Sequence, residues 1–592
     1  MKQINLFLRS NFGFFIILSI IVFAIYGKTI NYEFTNHDDD VLITRNINFI
    51  SEFKNIPKLF TTSCYYSDDF PYYRPILTLS FAIETILFGN NTKIFHLSNI
   101  ILFILSIYLM YVFISRLKQN SVILKFICIL IAVHPVFSSS IAWIPARNDT
   151  LLLIFTYLSF INFTEYIKFN KNMNLSIFIV TFFIALLTKE TAVILLPTYI
   201  VFIYTFDFKI NKNQIIKIIF YLLPIIAFYL YLRNISITNN TINTFESGKH
   251  IWDSLNGIAA YISKILIPDY IPVMLYKFNI TPFVIVLNLL LFLFLLICLN
   301  KKLINIKILL FGFFWMIIWL LPTFVAPDSV FLFHRLLIPI TGLIIIFYEI
   351  INNTIKKFPV LKKYFIFIFI ILFPTYFFAS SIQAKKFMNS DTYWVNAYYD
   401  APIYHGTCYF ISKIYLKNND YQKAKEFLYK AIEYSNNSPL YSSDLALIYA
   451  YEKNYENAKK EYLRSIEANI NVAYSFRNLS GIYLYQNDMK NAYLYAEKAF
   501  NLEPYNIDFS IYTAKIYALS NQYQKAIYIY LNLIKHDKKN AQYYYKAAEL
   551  YELMKDYKNA KKYITQGLKL APENVQLLEK AKFLKEIKNV SV

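Results

Sequence analysis

From Ile414 to Leu428 the chain reads "IYLKNNDYQKAKEFL", and 34 residues further on, from Ile448, it reads "IYAYEKNYENAKKEY". Tyr415, Tyr449, Tyr483, Tyr517 and Tyr551 recur at that interval, and nine positions after each come Ala424, Ala458, Ala492, Ala526 and Ala560. Tyr421, Tyr455, Tyr523 and Tyr557 form a third register, with Met489 as its exception. A small residue at a fixed distance from bulky aromatics is what two antiparallel helices need: alanine lets the helices approach, and tyrosine fills the space beside it. The spacing predicts five helix pairs over residues 404–574 and a polar capping helix over 575–592.

The period and the Tyr-to-Ala spacing resemble those of the tetratricopeptide repeat, an α-solenoid whose repeats bury their faces against their neighbours. Upstream the character changes. The whole chain has 592 residues, 57% hydrophobic and 19% aromatic, with only 10 glycines. That is too apolar for a soluble protein of this length, so a membrane part is implied. Runs of about 20 apolar residues, enough to cross a bilayer, lie near 11–30, 97–116, 121–138, 148–166, 173–188, 190–206, 214–232, 282–300, 305–325, 333–351 and 363–381. The expected fold is therefore all-α: a polytopic helix bundle of about eleven spans over residues 1–385, a linker over 386–403, and the repeats. The first run has a basic start (Lys2, Arg9) and no small-residue cleavage site, and reads as a retained anchor.

A formal charge of +21 raises the question of nucleic acid. A nucleic-acid protein gathers Lys and Arg on a binding face, whereas here they punctuate apolar runs, which excludes that class. Lys and Arg are retained on the cytoplasmic side of membranes. Every second connection is basic: Arg116 and Lys118; Lys168 and Lys171; Lys209, Lys212 and Lys217; Lys301, Lys302 and Lys307; Lys356, Lys357, Lys362 and Lys363. This pattern predicts the N-terminus inside and, with an odd number of spans, the repeats outside. Cys64, Cys128, Cys298 and Cys408 have no CxxC spacing, which argues against zinc; Cys64 and Cys408 are the two that could pair in an oxidising compartment.

The remaining connections then face outward: residues 31–96, 134–149, 188–191, 233–281 and 322–335. They hold the mixed charges, which membrane segments keep only at a cost: Asp38, Asp39 and Asp40, Arg74, Glu84, His96, Arg147 and Asp149, Lys189 and Glu190, His334 and Arg335. Taken alone, "DDD" is a solvated acidic turn or a helix N-cap. Clustered carboxylates also raise one another's pKa, which makes a better base, or hold a divalent cation through oxygen ligands, Mg or Mn. Arg74, Arg147, Lys189 and Arg335 snorkel or pair with Glu84, Asp149 and Glu190 when read singly. Four cations in outward loops point to a shared task, such as holding a phosphate-bearing ligand.

The order of "NHDDDVLITRN", "YYRPILTLSFAIETILFGNNTKIFHLSNIILF", "AWIPARNDTLLLIFTYLS", "LLTKETAVILLP" and "FHRLLIPITG", followed by the repeats, resembles the GT-C glycosyltransferases. Within them it is similar to the protein O-mannosyltransferase-like branch with transmembrane and tetratricopeptide parts, and to its bacterial relatives. The resemblance implies an integral membrane enzyme, in a bacterial cytoplasmic membrane, with its repeats extracytoplasmic. It implies a polyprenyl-phosphate sugar donor, mannose-like, and transfer with inversion to a hydroxyl acceptor, protein Ser or Thr, in which the repeats bind the acceptor polypeptide. The acidic pair of the family falls on Asp38-Asp39, with Asp40 as a third carboxylate and His37 where relatives carry tryptophan. Asp39 or Asp38 is then the base, and Arg74, Arg147, Lys189, His334 and Arg335 are the donor-phosphate residues, supported by Glu84, Asp149 and Glu190. The competing expectation is non-enzymatic: a membrane-anchored repeat scaffold for envelope or secretion complexes.

Overall fold

The computed structural model describes residues 10–66, 72–117, 122–237, 249–276, 281–324, 330–470, 472–504 and 506–590. The chain divides into two compact units, Met1–Pro402 and Ile403–Val592. Among the described residues the regular structure is helical, apart from a two-residue antiparallel pairing of Leu275–Tyr276 with Val330–Phe331.

In the first unit the apolar runs form helices, because a helix satisfies its own backbone where water is absent. Among the described residues six are long and apolar enough to cross a membrane: Asn11–Asn31, Thr92–Leu117, Ile144–Phe169, Lys212–Ser236, Pro282–Asn300 and Pro359–Phe387. Val122–Ala132 with Pro135–Ala142 makes a seventh if the pair, bent by 53°, is one span. The expectation of eleven spans is thus corrected to six or seven, and the cause lies in what interrupts each remaining run. Asn172–Thr188 is 17 residues long and stops at Lys189. The next run opens as a 3-10 turn, Glu190–Ile194, leaving Leu195–Thr205 as 11 residues of α-helix. Ile306–Leu320 has 15 residues, and Ile340–Lys357 carries Glu349, Lys356 and Lys357.

Burial separates centre from periphery. The Ile144–Phe169 helix is 78% buried over its apolar window, whereas Pro359–Phe387 is 11% buried. Around the inner helix Phe113, Tyr157, Phe160, Phe202 and Trp315 form a contiguous aromatic cluster. Ile306–Leu320 and Ile340–Lys357 cross at Gly312 and Gly342, so closely that a Cβ on Gly342 would collide with the Gly312 carbonyl oxygen. The stretch expected as a linker, 386–403, contains the helix Ser390–Asp400, whose Tyr393 and Trp394 are buried in the first unit.

The second unit is built of five helix pairs: His405–Lys417 with Tyr421–Tyr434, Ser442–Tyr451 with Tyr455–Glu467, Val472–Tyr485 with Met489–Leu502, Ile507–Leu519 with Tyr523–His536, and Ala541–Leu553 with Tyr557–Leu570. The helix Val575–Val590 follows. Ala424, Ala458, Ala492, Ala526 and Ala560 are all 0–1% exposed, as close helix approach requires. Asn419, Lys453, Asn487, Asn521 and Lys555 take the left-handed conformation in the turn within each pair. Asp420, Asn454, Asp488 and Asp556 then cap the second helix in four of the pairs.

Candidate active site

The loop after the first helix turns at Asn36, whose positive φ of 51° is one that asparagine tolerates. The turn brings two backbone N–H groups onto one carboxylate. Asp39 accepts from the Thr35 amide at 2.6 Å, from the His37 amide at 2.9 Å and from the Thr35 hydroxyl at 3.1 Å. It is 1% exposed. Burial pushes its pKa up to about 6, against the pull of those hydrogen bonds. Asp40 faces elsewhere, accepting from Thr44 Oγ1 at 2.6 Å and pairing with Arg45 at 2.6 Å. Asp38 is half-buried, and its carboxylate has no hydrogen-bond donor among the described residues; the His37 Nε2 lies 4.0 Å away.

Residues absent from the sequence expectations hold this loop in place. Trp143 Nε1 donates to Thr35 Oγ1 at 3.1 Å, and its ring stacks on His37 with centroids 5.4 Å apart. The Tyr393 hydroxyl lies 3.0 Å from His37 Nδ1, and Trp394 meets that ring edge-on with centroids 5.1 Å apart. Trp143 sits inside the quoted "AWIPARND", so the motif marked it. Tyr393 and Trp394, in the supposed linker, were signalled only by aromatic density.

The cations fall into two kinds. Arg147 is fully buried: Nε donates to Asn99, Nη1 to Ser80 and Glu84, and Nη2 to the Phe95 carbonyl, while Phe81 stacks on its plane at 4.5 Å. All three nitrogens are engaged, which corrects its expected place among the phosphate ligands and makes Glu84 its structural counter-ion. Arg74 is held more loosely. Glu190 accepts from its Nε at 3.1 Å and from the Tyr73 amide at 2.7 Å, and Tyr72 underlies the guanidinium at 4.5 Å. Neither Nη of Arg74 has a partner among the described residues. Arg335 is half-buried and likewise has no side-chain partner there.

Lys189 bonds Asp149 at 2.7 Å, and the other Asp149 oxygen faces His334 Nε2 at 3.6 Å. Burial pushes His334 down to about 3, so it is neutral at physiological pH. Its ring lies 5.2 Å from that of Trp143, linking this group to the aspartate loop. The Tyr72 phenol, whose ionisation burial disfavours, senses Arg74, Arg335, Glu190 and Asp38 together. His96 is buried in the Thr92–Leu117 helix against Tyr32.

The three aspartates do not converge, and among the described residues no group of three or more His, Cys, Asp or Glu side chains is disposed to hold a metal. The alternative in which Asp38, Asp39 and Asp40 share a Mg or Mn ion, which the sequence allows but does not require, does not fit these side chains. Cys64 and Cys408, the two cysteines that could pair, are each buried within their own unit.

The tetratricopeptide repeat family matches residues 405–438, 443–469 and 541–574. A segment of 92 residues is 35% identical to "Protein O-mannosyl-transferase TMTC1" of Mus musculus, covering 15% of this chain and 10% of that protein. The Homo sapiens protein of that name is 33% identical over 94 residues, 16% of this chain and 11% of that protein. The matched segment thus spans about a tenth of these curated relatives. Among solved structures, the crystal structure of YrrB, "a TPR protein with an unusual peptide-binding site", is 16% identical with a TM-score of 0.28, covering 32% of this chain and 97% of that one. The crystal structure of yeast Tom70 is 13% identical with a TM-score of 0.28, covering 78% and 92%. The chain carries tetratricopeptide repeats after residue 403 and is similar, over a short segment, to a protein O-mannosyl-transferase.

Proposed function

We propose that the protein is a membrane glycosyltransferase moving a sugar, a mannose-like hexose, from a polyprenyl-phosphate donor to a hydroxyl of a polypeptide on the extracytoplasmic face. Asp38 is the base. The acceptor O–H proton passes to its carboxylate as the oxygen attacks C1 of the sugar; the C1–O bond to phosphate breaks on the opposite face, with inversion. The departing polyprenyl phosphate gains one negative charge, so it needs neutralisation rather than a proton. The free Nη groups of Arg74, the Arg335 guanidinium and Lys189 supply it, each well-placed contact contributing about 3 kcal/mol to the transition state. Arg147 with Glu84, and Asp149 with His334, position these groups.

The observation that carries this reading is Asp38: a half-buried carboxylate with no hydrogen-bond donor among the described residues, on a loop tied through His37 and Trp143 to His334, whose chain neighbour Arg335, like Arg74, has unused N–H donors. A free base and an anion-binding group in one site are what transfer from a phosphate needs. The short segment similar to a protein O-mannosyl-transferase supports the same class.

The test is transfer of radiolabelled hexose from polyprenyl phosphate by the purified full-length protein in liposomes, with cell-envelope protein as acceptor. The account expects protein-bound label released by β-elimination. Label that stays entirely on lipid would favour the scaffold reading, which the repeats alone support.

A further inference from the structure

Between the first helices of the third and fourth pairs, Val472–Tyr485 and Ile507–Leu519, lies a cavity of about 400 Å³. Tyr474, Phe509 and Tyr512 give it aromatic walls, and Arg477, Lys515 and Asp508 supply its charge. Arg477 is held in place from both sides. Its guanidinium lies 4.5 Å over the Tyr512 ring, and Nη1 donates to Asn478 Oδ1 at 3.0 Å. The Tyr512 hydroxyl is in turn 3.1 Å from Ser480 Oγ, so ring and guanidinium are oriented together.

Neither Arg477 nor Lys515 has a carboxylate partner among the described residues, although other lysines of this unit pair with Glu426, Glu452, Glu497 or Glu549. Asp508 has a structural reason to be there: it stands in the first turn of Ile507–Leu519, where a negative charge complements the helix dipole. No such reason covers the two cations. A pre-oriented guanidinium on an aromatic face, with a second cation one helix turn beyond that aromatic, is suited to a carboxylate flanked by apolar surface.

We propose that this cavity binds an acidic segment of polypeptide. A Glu or Asp side chain lies on Arg477 and Lys515, and a neighbouring apolar side chain packs against Tyr474, Phe509 and Tyr512. The inference rests on the polypeptide-binding part of the proposed function and not on its sugar chemistry.

The full-length protein, immobilised in neutral-lipid nanodiscs, is offered a pool of end-blocked octapeptides with one fixed Glu, mixed with the same pool carrying Gln there. Retained peptides are counted by mass spectrometry. Glu peptides should be enriched about tenfold over Gln peptides, and Arg477→Gln should abolish the preference. Lys515→Gln, at an exposed position where folding is not at stake, should reduce it about threefold. Asp38→Asn should leave the enrichment intact, which separates this inference from the fate of the proposed chemistry. Equal retention of the two pools, retention of neither, or a preference surviving both Arg477→Gln and Lys515→Gln would overturn it.

Discussion

Both carboxylate oxygens of Asp39 are occupied by the turn that carries it, which leaves Asp38 as the member of the triplet open to a substrate. No sequence argument could rank three adjacent aspartates, because the ranking depends on which one the left-handed Asn36 turns inward. The pKa of Asp39 carries a testable sign. Raised in the fold to about 6 from 3.8, it contributes stability fully present below about pH 4 and lost as pH rises through about 6. Asp39→Asn should therefore flatten the pH dependence of the thermal midpoint across that window relative to the wild type. An unchanged profile would mean that Asp39 titrates elsewhere. Arg147 provides a second test at this scale. Arg147→Met leaves Glu84 without its partner and should cost about 3–5 kcal/mol in stability. Arg147→Met with Glu84→Gln should recover part of that loss, as read by the thermal midpoint in detergent. Its importance was legible from a charge next to a long apolar run; its role was not, because burial and four acceptors are properties of packing.

At the scale of elements, hydropathy located the apolar segments but not how many are full spans. Lys189 and Glu190 divide one apolar stretch into two short helices, and the chain bends by 53° at the break before Pro135. Those interruptions do functional work in the proposed account, since they bring Lys189, Glu190 and Trp143 into one neighbourhood. The glycine crossing is a rigid constraint of another kind. Gly342→Ala would drive a methyl group into the Gly312 carbonyl, and parting the two helices should cost about 1–3 kcal/mol. A thermal midpoint unchanged by Gly342→Ala would show that the crossing has slack. The helix Ser390–Asp400 escaped the sequence reading because it is too short and too polar for a span and lies outside the 34-residue register.

At the scale of the molecule, the repeats were the most legible part, since a 34-residue period constrains five helix pairs at once, whereas the site is assembled from loops far apart in sequence that share no period. The proposed function divides the labour between the two units, which truncation can test: under it, a chain ending at Pro402 should still cleave the donor to free hexose with water while losing transfer to polypeptide. Loss of both activities in a folded truncated chain would contradict that division. The central claim concerns one carboxylate, and its most direct test is the rate of hexose transfer from a polyprenyl-phosphate donor by Asp38→Asn and Asp39→Asn, each compared with wild type at equal thermal midpoint. The account predicts that Asp38→Asn loses transfer by about 10²–10⁴-fold, as removal of a general base does, while Asp39→Asn keeps a measurable fraction. Wild-type turnover in Asp38→Asn would contradict it.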